Sequence, residues 1–375
     1  MWVDQEGIIM NRKAILVFLL LTMNYTYSEA SIIDLRQENS YKPLAHLALK
    51  NQQDQGEFGI CYSYALASMI NYFLLSHGYQ NEAFWNDAGD DYKGVSPLGI
   101  AIMLKSFLEN SGDLYPDLRF PQQLPNSSHD LEFGWLRYGI DMINTSHSVF
   151  PEKYFDSYIE KGPENTSGKT KIQFFADRVS YYFKQKKNKK NINYLSDFLS
   201  QYQFQENKFS GQARDLNLKE LFLEPSKLQF WRKFGKSLIQ GREVGVPEFK
   251  YFYLPRFHAG ADRKELVIGK MSEQLGSSMA QPVGIRYCTD FLISGKNERG
   301  LQGYYSEADA DQDSCSMHVS LVIGERMKRS KREFLIRDSF GTSCSQYKWE
   351  CDNGNIWVDA AVLANQLNSI TYLHP

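Results

Sequence analysis

The apolar residues of this chain change their spacing part-way along, and that change limits the fold more than any other feature. Early on they recur at helical period. Tyr62, Ala65, Leu66, Met69, Ile70 and Phe73 fall at i, i+3, i+4 and i+7, which predicts a long helix opening at Cys61 with one apolar face. Gly56 and Gly59 just before it permit a tight turn and close backbone approach. Ser96-Pro97 reads as a cap followed by a first-turn proline, so a second helix is expected through GIAIMLKSFLE to a stop near Gly112. From about Pro116 to Pro163 the text is loop-rich with short helical pieces. Between Lys169 and about Gln240 the runs KIQFFADRVSYYF, NYLSDFLSQYQF and SKLQFWRKFGKSLIQ return to helical period. The last third differs. After a helix at KMSEQLGSSM, the runs QPVGIRY, HVSLVIG, EFLIRDS and NIWVD are short, β-rich and separated by polar turns. A last helix, DAAVLANQL, takes Asp359 as its cap. Helices first and strands later predict an α+β arrangement with a helical lobe and a sheet lobe.

Bulk properties narrow the function classes. With 42% hydrophobic and 23% charged residues the chain is an ordinary globular protein, far from the disordered range. Its net charge of −2 gives no general attraction to nucleic acid or to an anionic membrane. One basic run, KQKKNKKN from Lys184 to Asn191, reads as a solvated helix end or loop rather than a polyanion site. No nucleic-acid partner is therefore expected.

The N-terminus reads as an export signal. Arg12 and Lys13 precede the short apolar run AILVFLLLT, and Ser28-Glu29-Ala30 supplies small residues for cleavage. Met10 is a second candidate start, since MNRK makes the better basic region. The run is short for a bilayer span. Residues 1–30 are thus expected to be a cleaved signal peptide, with an uncleaved anchor as the alternative, and the mature protein to be secreted or periplasmic with no stable membrane anchor. An oxidising compartment suits disulfides. Five cysteines, Cys61, Cys288, Cys315, Cys344 and Cys351, leave one unpaired if four bridge. Cys344 with Cys351 would staple a loop, and Cys288 with Cys315 would close the segment between them. The sequence alone leaves that connectivity open.

A cysteine at the mouth of a helix has a chemical use beyond packing. The thiolate is the reactive form, and a helix N-terminus and a nearby imidazolium both favour it. A third group must then hold the imidazole in place. Of seven histidines, His318 stands out, because it opens the strand HVSLVIG and is followed after a basic turn by EFLIRDS, with Asp338 at the far end. An antiparallel hairpin would bring His318 and Asp338 to one end. Asp338 would then accept the Nδ1–H, presenting Nε2 to the sulfur. His258 is a minor rival. The plain alternative is a packed cysteine, a core histidine and a turn aspartate.

These residues resemble a known family. Gln55-Gly56 leading to Cys61-Tyr62-Ser63-Tyr64 is similar to the active-site segment of papain-like cysteine proteases, where Gln-Gly leads to Cys-Gly-Ser-Cys-Trp-Ala-Phe. Val95-Ser96-Pro97-Leu98 resembles the family's next helix start, and Gln281-Pro282-Val283-Gly284-Ile285 its Gln-Pro-Val strand. His318 to Gly324 resembles His-Ala-Val-x-x-Val-Gly, Arg337-Asp338-Ser339-Phe340-Gly341 resembles Lys-Asn-Ser-Trp-Gly, and Gly354 to Val358 resembles the closing Gly-Tyr-x-Trp strand. Each segment is weak alone; the ordered set is specific.

The resemblance implies a two-lobed papain-like fold with the site in the cleft between lobes. Residues 31–115 would be the helical lobe with the nucleophile, 116–260 a loop and helical insertion, and 261–375 the β-rich lobe. It implies a peptidase acting on a protein or peptide substrate, with no metal and no organic cofactor. Cys61 would be the nucleophile, His318 its acid–base partner, Asp338 the orienting group, and Gln55 an oxyanion-hole donor with the Cys61 N–H. The chain also departs from the family. Asp338 stands for its Asn, Phe340 and Tyr62 for two of its Trp residues, and Phe58 for a Cys that forms a disulfide. Cys61 lies only 31 positions beyond the expected cleavage, too few for the usual inhibitory prosegment. Two other readings remain: a papain-like fold used only for binding, and a transglutaminase-like acyl transferase, whose triad is normally Cys-His-Asp. Gln55 and the Gln-Pro-Val segment speak against the second.

Overall fold

The computed structural model describes residues 32–39, 42–55, 60–86, 89, 91–110, 135–152, 179–184, 218–226, 229–231, 233–234, 237, 243–255, 261–278, 280–292 and 317–374. The expected signal segment, Gly56 to Gly59, His129, His258 and Cys315 lie outside the described residues, as does most of the stretch from 153 to 217.

The chain is α+β, built on a large antiparallel sheet. A short strand β1 (Ile33–Asp34) precedes the long helix α1 (Cys61–Ser76), followed by α2 (Pro97–Asn110) and α3 (Leu136–Ser146). Then come β2 (Lys250–Pro255), α4 (Ala261–Gly276), β3 (Val283–Cys288), β4 (Met317–Lys328), β5 (Lys331–Arg337), β6 (Glu350–Asp352), β7 (Asn355–Asp359), α5 (Ala360–Gln366) and β8 (Leu367–His374). The sheet order is β2-β8-β3-β4-β5-β7-β6, with β1 pairing the outer part of β4.

Local chemistry accounts for these boundaries. Ser96 Oγ accepts from the Gly99 N–H at 3.0 Å, capping α2, and Pro97 takes its first position. Asp359 Oδ1 accepts from Ala361 and Val362 N–H at 2.9 and 3.2 Å and starts α5. Two tight hairpins set the register of the β region. Arg329 and Ser330, both at positive φ, join β4 to β5. Asn353-Gly354, at φ 51° and 76°, joins β6 to β7, the pairing that a two-residue turn with left-handed residues favours. A side chain at Gly354 would sit 2.0 Å from the Gly341 carbonyl oxygen.

Helix α1 departs from the one-faced helix that its apolar spacing predicts. Every residue from Tyr62 to Leu75 is buried, because α1 runs between α2, α3 and the sheet strands β3, β4 and β8. Its polar residues are hydrogen-bonded inside. Ser68 Oγ donates to Gln53 Oε1 at 2.9 Å, and Asn71 Oδ1 accepts from Tyr92 OH and Val95 N–H at 3.0 and 2.9 Å. Helix α3 reaches α1 through Gly139, where an added Cβ would meet Leu66 Cδ2 at 2.2 Å. Leu66 is fully buried there, so Leu66→Ala would cost about 2–5 kcal/mol. Helix α1 is therefore a fixed post, and its first residue, Cys61, is held in register with the sheet.

The sheet is wider than the sequence reading had it. Strands β2 and β8, neither expected, pair antiparallel from Ser369–Pro255 to His374–Lys250 and extend the sheet beyond β3. Helix α3 falls in the region expected to be loop-rich with short helical pieces. Among the described residues, no helix is long and apolar enough to cross a membrane. Cys344 and Cys351 form a disulfide. Cys288 is also disulfide-bonded, and its expected partner Cys315 is not described.

Candidate active site

Strands β4 and β5 form the hairpin that carries the histidine and the aspartate. Leu321 faces Arg337 across it, so His318, near the start of β4, and Asp338, just past the end of β5, share one end. His318 Nε2 donates to Asp338 Oδ1 at 2.8 Å, with both side chains buried. Cys61 lies within hydrogen-bonding reach of the same ring and acts on it electrostatically. Because Nε2 is taken by Asp338, Nδ1 is the nitrogen left for the sulfur. This reverses the expected ring orientation, in which Asp338 held Nδ1. The sequence fixes which residues meet but not how the ring turns.

The electrostatics favour a charged imidazole. Burial alone opposes the charge on His318, but the charges of Cys61 and Asp338 and hydrogen bonds to both outweigh it, raising its pKa to about 10. Asp338 is itself fully partnered. Its Oδ1 also accepts from the Ser339 N–H at 2.7 Å, and its Oδ2 accepts from Tyr347 OH at 3.1 Å. Burial and then the Asp338 charge push the Tyr347 phenol well above its ordinary pKa, so it stays a donor. Tyr347 lies within the loop closed by Cys344–Cys351. Phe340 stacks on His318, with ring centroids 4.7 Å apart and planes 13° apart. Tyr287 meets the ring edge-on at 5.8 Å and bonds Ser320 through its hydroxyl at 2.9 Å.

Gln55 is tied to the same loop. Its backbone N–H donates to Ser339 O at 2.7 Å, and its buried side-chain Oε1 accepts from Ser339 Oγ. The donor end of that amide is Nε2. The segment before it is strapped down by Arg337, whose Nη1 donates to Leu49 O at 2.9 Å and to Gln52 Oε1 at 3.2 Å. Asp54 forms an isolated bridge with Phe340, and the Gly341 N–H donates to Gln53 O at 3.0 Å. The segments 49–55 and 337–341 are thus one unit, and it adjoins the N-terminus of α1.

The structure therefore brings Cys61, His318 and Asp338 together and binds Gln55 to the aspartate loop. Among the described residues, His77 follows the opposite end of α1 and His374 ends β8. Sequence reading missed Tyr347, Ser339 and Arg337. Among the described residues, Cys61 is the one free cysteine, and no group of three or more His, Cys, Asp or Glu is placed to hold a metal ion.

No protein-family model matches the sequence, and no curated protein does. Among solved structures, a digestive procathepsin L 3 of Tenebrio molitor larval midgut is similar at a TM-score of 0.43 and 12% identity, over 92% of this chain and 70% of that one.

Proposed function

We propose that this chain is a papain-like thiol peptidase, two-lobed and exported, that cleaves peptide bonds through Cys61, His318 and Asp338. The observation that carries the reading is the buried His318–Asp338 hydrogen bond at 2.8 Å with the free Cys61 within hydrogen-bonding reach of the same ring. In this reading the Cys61 sulfur anion attacks the scissile carbonyl. The resulting oxyanion takes hydrogen bonds from Gln55 Nε2 and the Cys61 N–H. His318 gives its Nδ1 proton to the departing amine, leaving a thioester and a neutral ring. The neutral ring then takes a proton from water, the hydroxide attacks the thioester, and the sulfur leaves as the anion. Asp338 orients the ring, as an Asn does in the family. The Cys344–Cys351 disulfide accords with an oxidising compartment and so with export.

The carboxylate at Asp338 also favours an acyl transferase, in which an amine rather than water takes the acyl group from the same thioester. One experiment separates these. A thiol-reactive epoxide should label Cys61 at neutral pH, and incubation with casein should release new amine termini, both abolished in Cys61→Ala. Labelling with amine incorporation and no new termini would support transfer. No labelling at any pH near neutral would support a binding protein.

A further inference from the structure

Beside the candidate nucleophile lies a group of charges that the catalytic proposal does not use. Strand β3 pairs with β4 so that Tyr287 faces His318 and Arg286 faces Val319. Gly284 and Arg286 share a face of β3, and that face is covered by α3, since a Cβ on Gly284 would meet Leu136 Cδ1 at 2.2 Å. The Arg286 guanidinium lies over the Trp135 ring at 4.1 Å, and it is close enough to Cys61 for their charges to interact. A second guanidinium, Arg137, sits 4.4 Å from the Tyr138 ring, 5.0 Å from Tyr253 and 5.7 Å from the same Trp135.

Among the described residues, neither cation forms an ion pair. Arg286 gives one hydrogen bond, from Nη1 to Asn368 Oδ1 at 3.0 Å, and Arg137 gives one, from Nη2 to Tyr138 OH. The Arg137 Nε is buried and has no hydrogen-bond partner. A guanidinium carries five donors, so most of this capacity is unspent. Both arginines and Trp135 are half-buried rather than enclosed, so a ligand can reach them. Aromatic faces order a guanidinium and keep its fork open for two parallel bonds to one carboxylate.

We propose that Arg286 and Arg137, framed by Trp135, Tyr138 and Tyr253, form a subsite for an acidic side chain of the bound peptide. This rests on the peptidase reading for its substrate class, and it gives that peptidase a preference for Asp or Glu close to the bond it cuts. Arg286 is the primary determinant, because it alone of the two senses the charge at Cys61. A bound carboxylate would supply the counter-charge that the pair lacks.

The test uses matched fluorogenic peptides that place Glu or Gln at each of the first few positions before the cleaved bond. In the wild-type protein one position should favour Glu over Gln by about ten-fold or more in kcat/KM, roughly the strength of one charge-assisted pair. Arg286→Gln should bring that ratio close to one, Arg286→Lys should restore part of it, and salt should reduce it. The same peptides are titrated by calorimetry into Cys61→Ala, which reads binding without turnover. Equal binding and equal turnover of Glu and Gln peptides by the wild-type site would overturn the subsite, as would a preference that survives Arg286→Gln with Arg137→Gln. Glu-selective binding to Cys61→Ala with no peptide cut by the wild type would instead overturn the peptidase reading and leave the subsite standing.

Discussion

Phe340 lies flat against the His318 ring, 4.7 Å from it, while His318 Nε2 donates to Asp338 behind it. The two contacts act together: one sets the direction of the ring and the other screens its hydrogen bond from water. Phe340 is 36% exposed and covers His318, which is buried, as are Asp338 and Gln55, while Cys61 is partly exposed. Phe340→Ala should leave stability within about 0.5–1.5 kcal/mol of wild type but lower kcat/KM by about ten-fold. Phe340→Trp should retain activity. Steady-state kinetics beside a thermal melt checks both halves.

The raised His318 pKa has a definite pH signature. Its proton is held up to about pH 10 in the folded protein against 6.5 unfolded. It therefore contributes stability that is fully present below pH 6.5 and lost as pH rises through about 10. Activity should likewise persist across neutral pH and fall only in that upper range. Asp338→Asn keeps an acceptor for Nε2 but removes the charge, so its basic limb should move down by about 1–3 pH units. Asp338→Ala should lose turnover by orders of magnitude. A pH–rate profile for the three proteins is the measurement.

Tyr347 connects the disulfide loop to the site. Removing its hydroxyl leaves one oxygen of a buried carboxylate without that donor, at a cost of about 1–3 kcal/mol. Tyr347→Phe should lower kcat and leave KM nearly unchanged. Replacing Cys344 and Cys351 by Ser together should cost about 2–3 kcal/mol in stability and produce the same kcat defect. If the loop acts through Tyr347, adding Tyr347→Phe to the double variant should lower kcat little further.

Gly354 presses on the loop that follows Asp338. Its φ of 76° and the 2.0 Å approach of a Cβ to Gly341 O leave no room for a side chain. Gly354→Ala should cost about 1–3 kcal/mol from backbone strain alone, with more from the clash. Gly269, exposed on α4 with nothing near its missing Cβ, is the control: Gly269→Ala should stabilise by about 0.5–1 kcal/mol. Urea unfolding of both variants reads the contrast.

What the sequence revealed and what it hid follow from the range of each interaction. The β4–β5 hairpin was legible because both strands are apolar runs around a basic turn. The caps at Ser96 and Asp359 were legible because they act within a few residues. Asn353-Gly354 carried an equally local turn signal that went unread, whereas the apolar spacing of Leu136, Ile140 and Ile143 puts α3 among the short helical pieces expected between Pro116 and Pro163. Strands β2 and β8 went unread: β2 ends in a proline, Pro255, and β8 follows directly on α5 with no turn signal between them. Arg337 and Ser339 lie in the segment that resembles Lys-Asn-Ser-Trp-Gly, but nothing local signals their contacts or that of Tyr347. The contacts of Arg337 and Ser339 exist only once segments almost 300 positions apart, such as Gln55 and Ser339, meet, and Tyr347 reaches Asp338 only once its disulfide loop folds back. The ring orientation of His318 was hidden for the same reason, since no periodicity encodes which nitrogen faces which neighbour.

The central claim is that His318 is an imidazolium held between Cys61 and Asp338. Nitrogen-15 spectra of the His318 ring across pH test it most directly. The account predicts both ring nitrogens protonated at neutral pH, with titration near 10 in the wild type and at clearly lower pH in Cys61→Ala and in Asp338→Asn. A neutral ring at neutral pH, titrating near 6.5 and unmoved by either substitution, would contradict it.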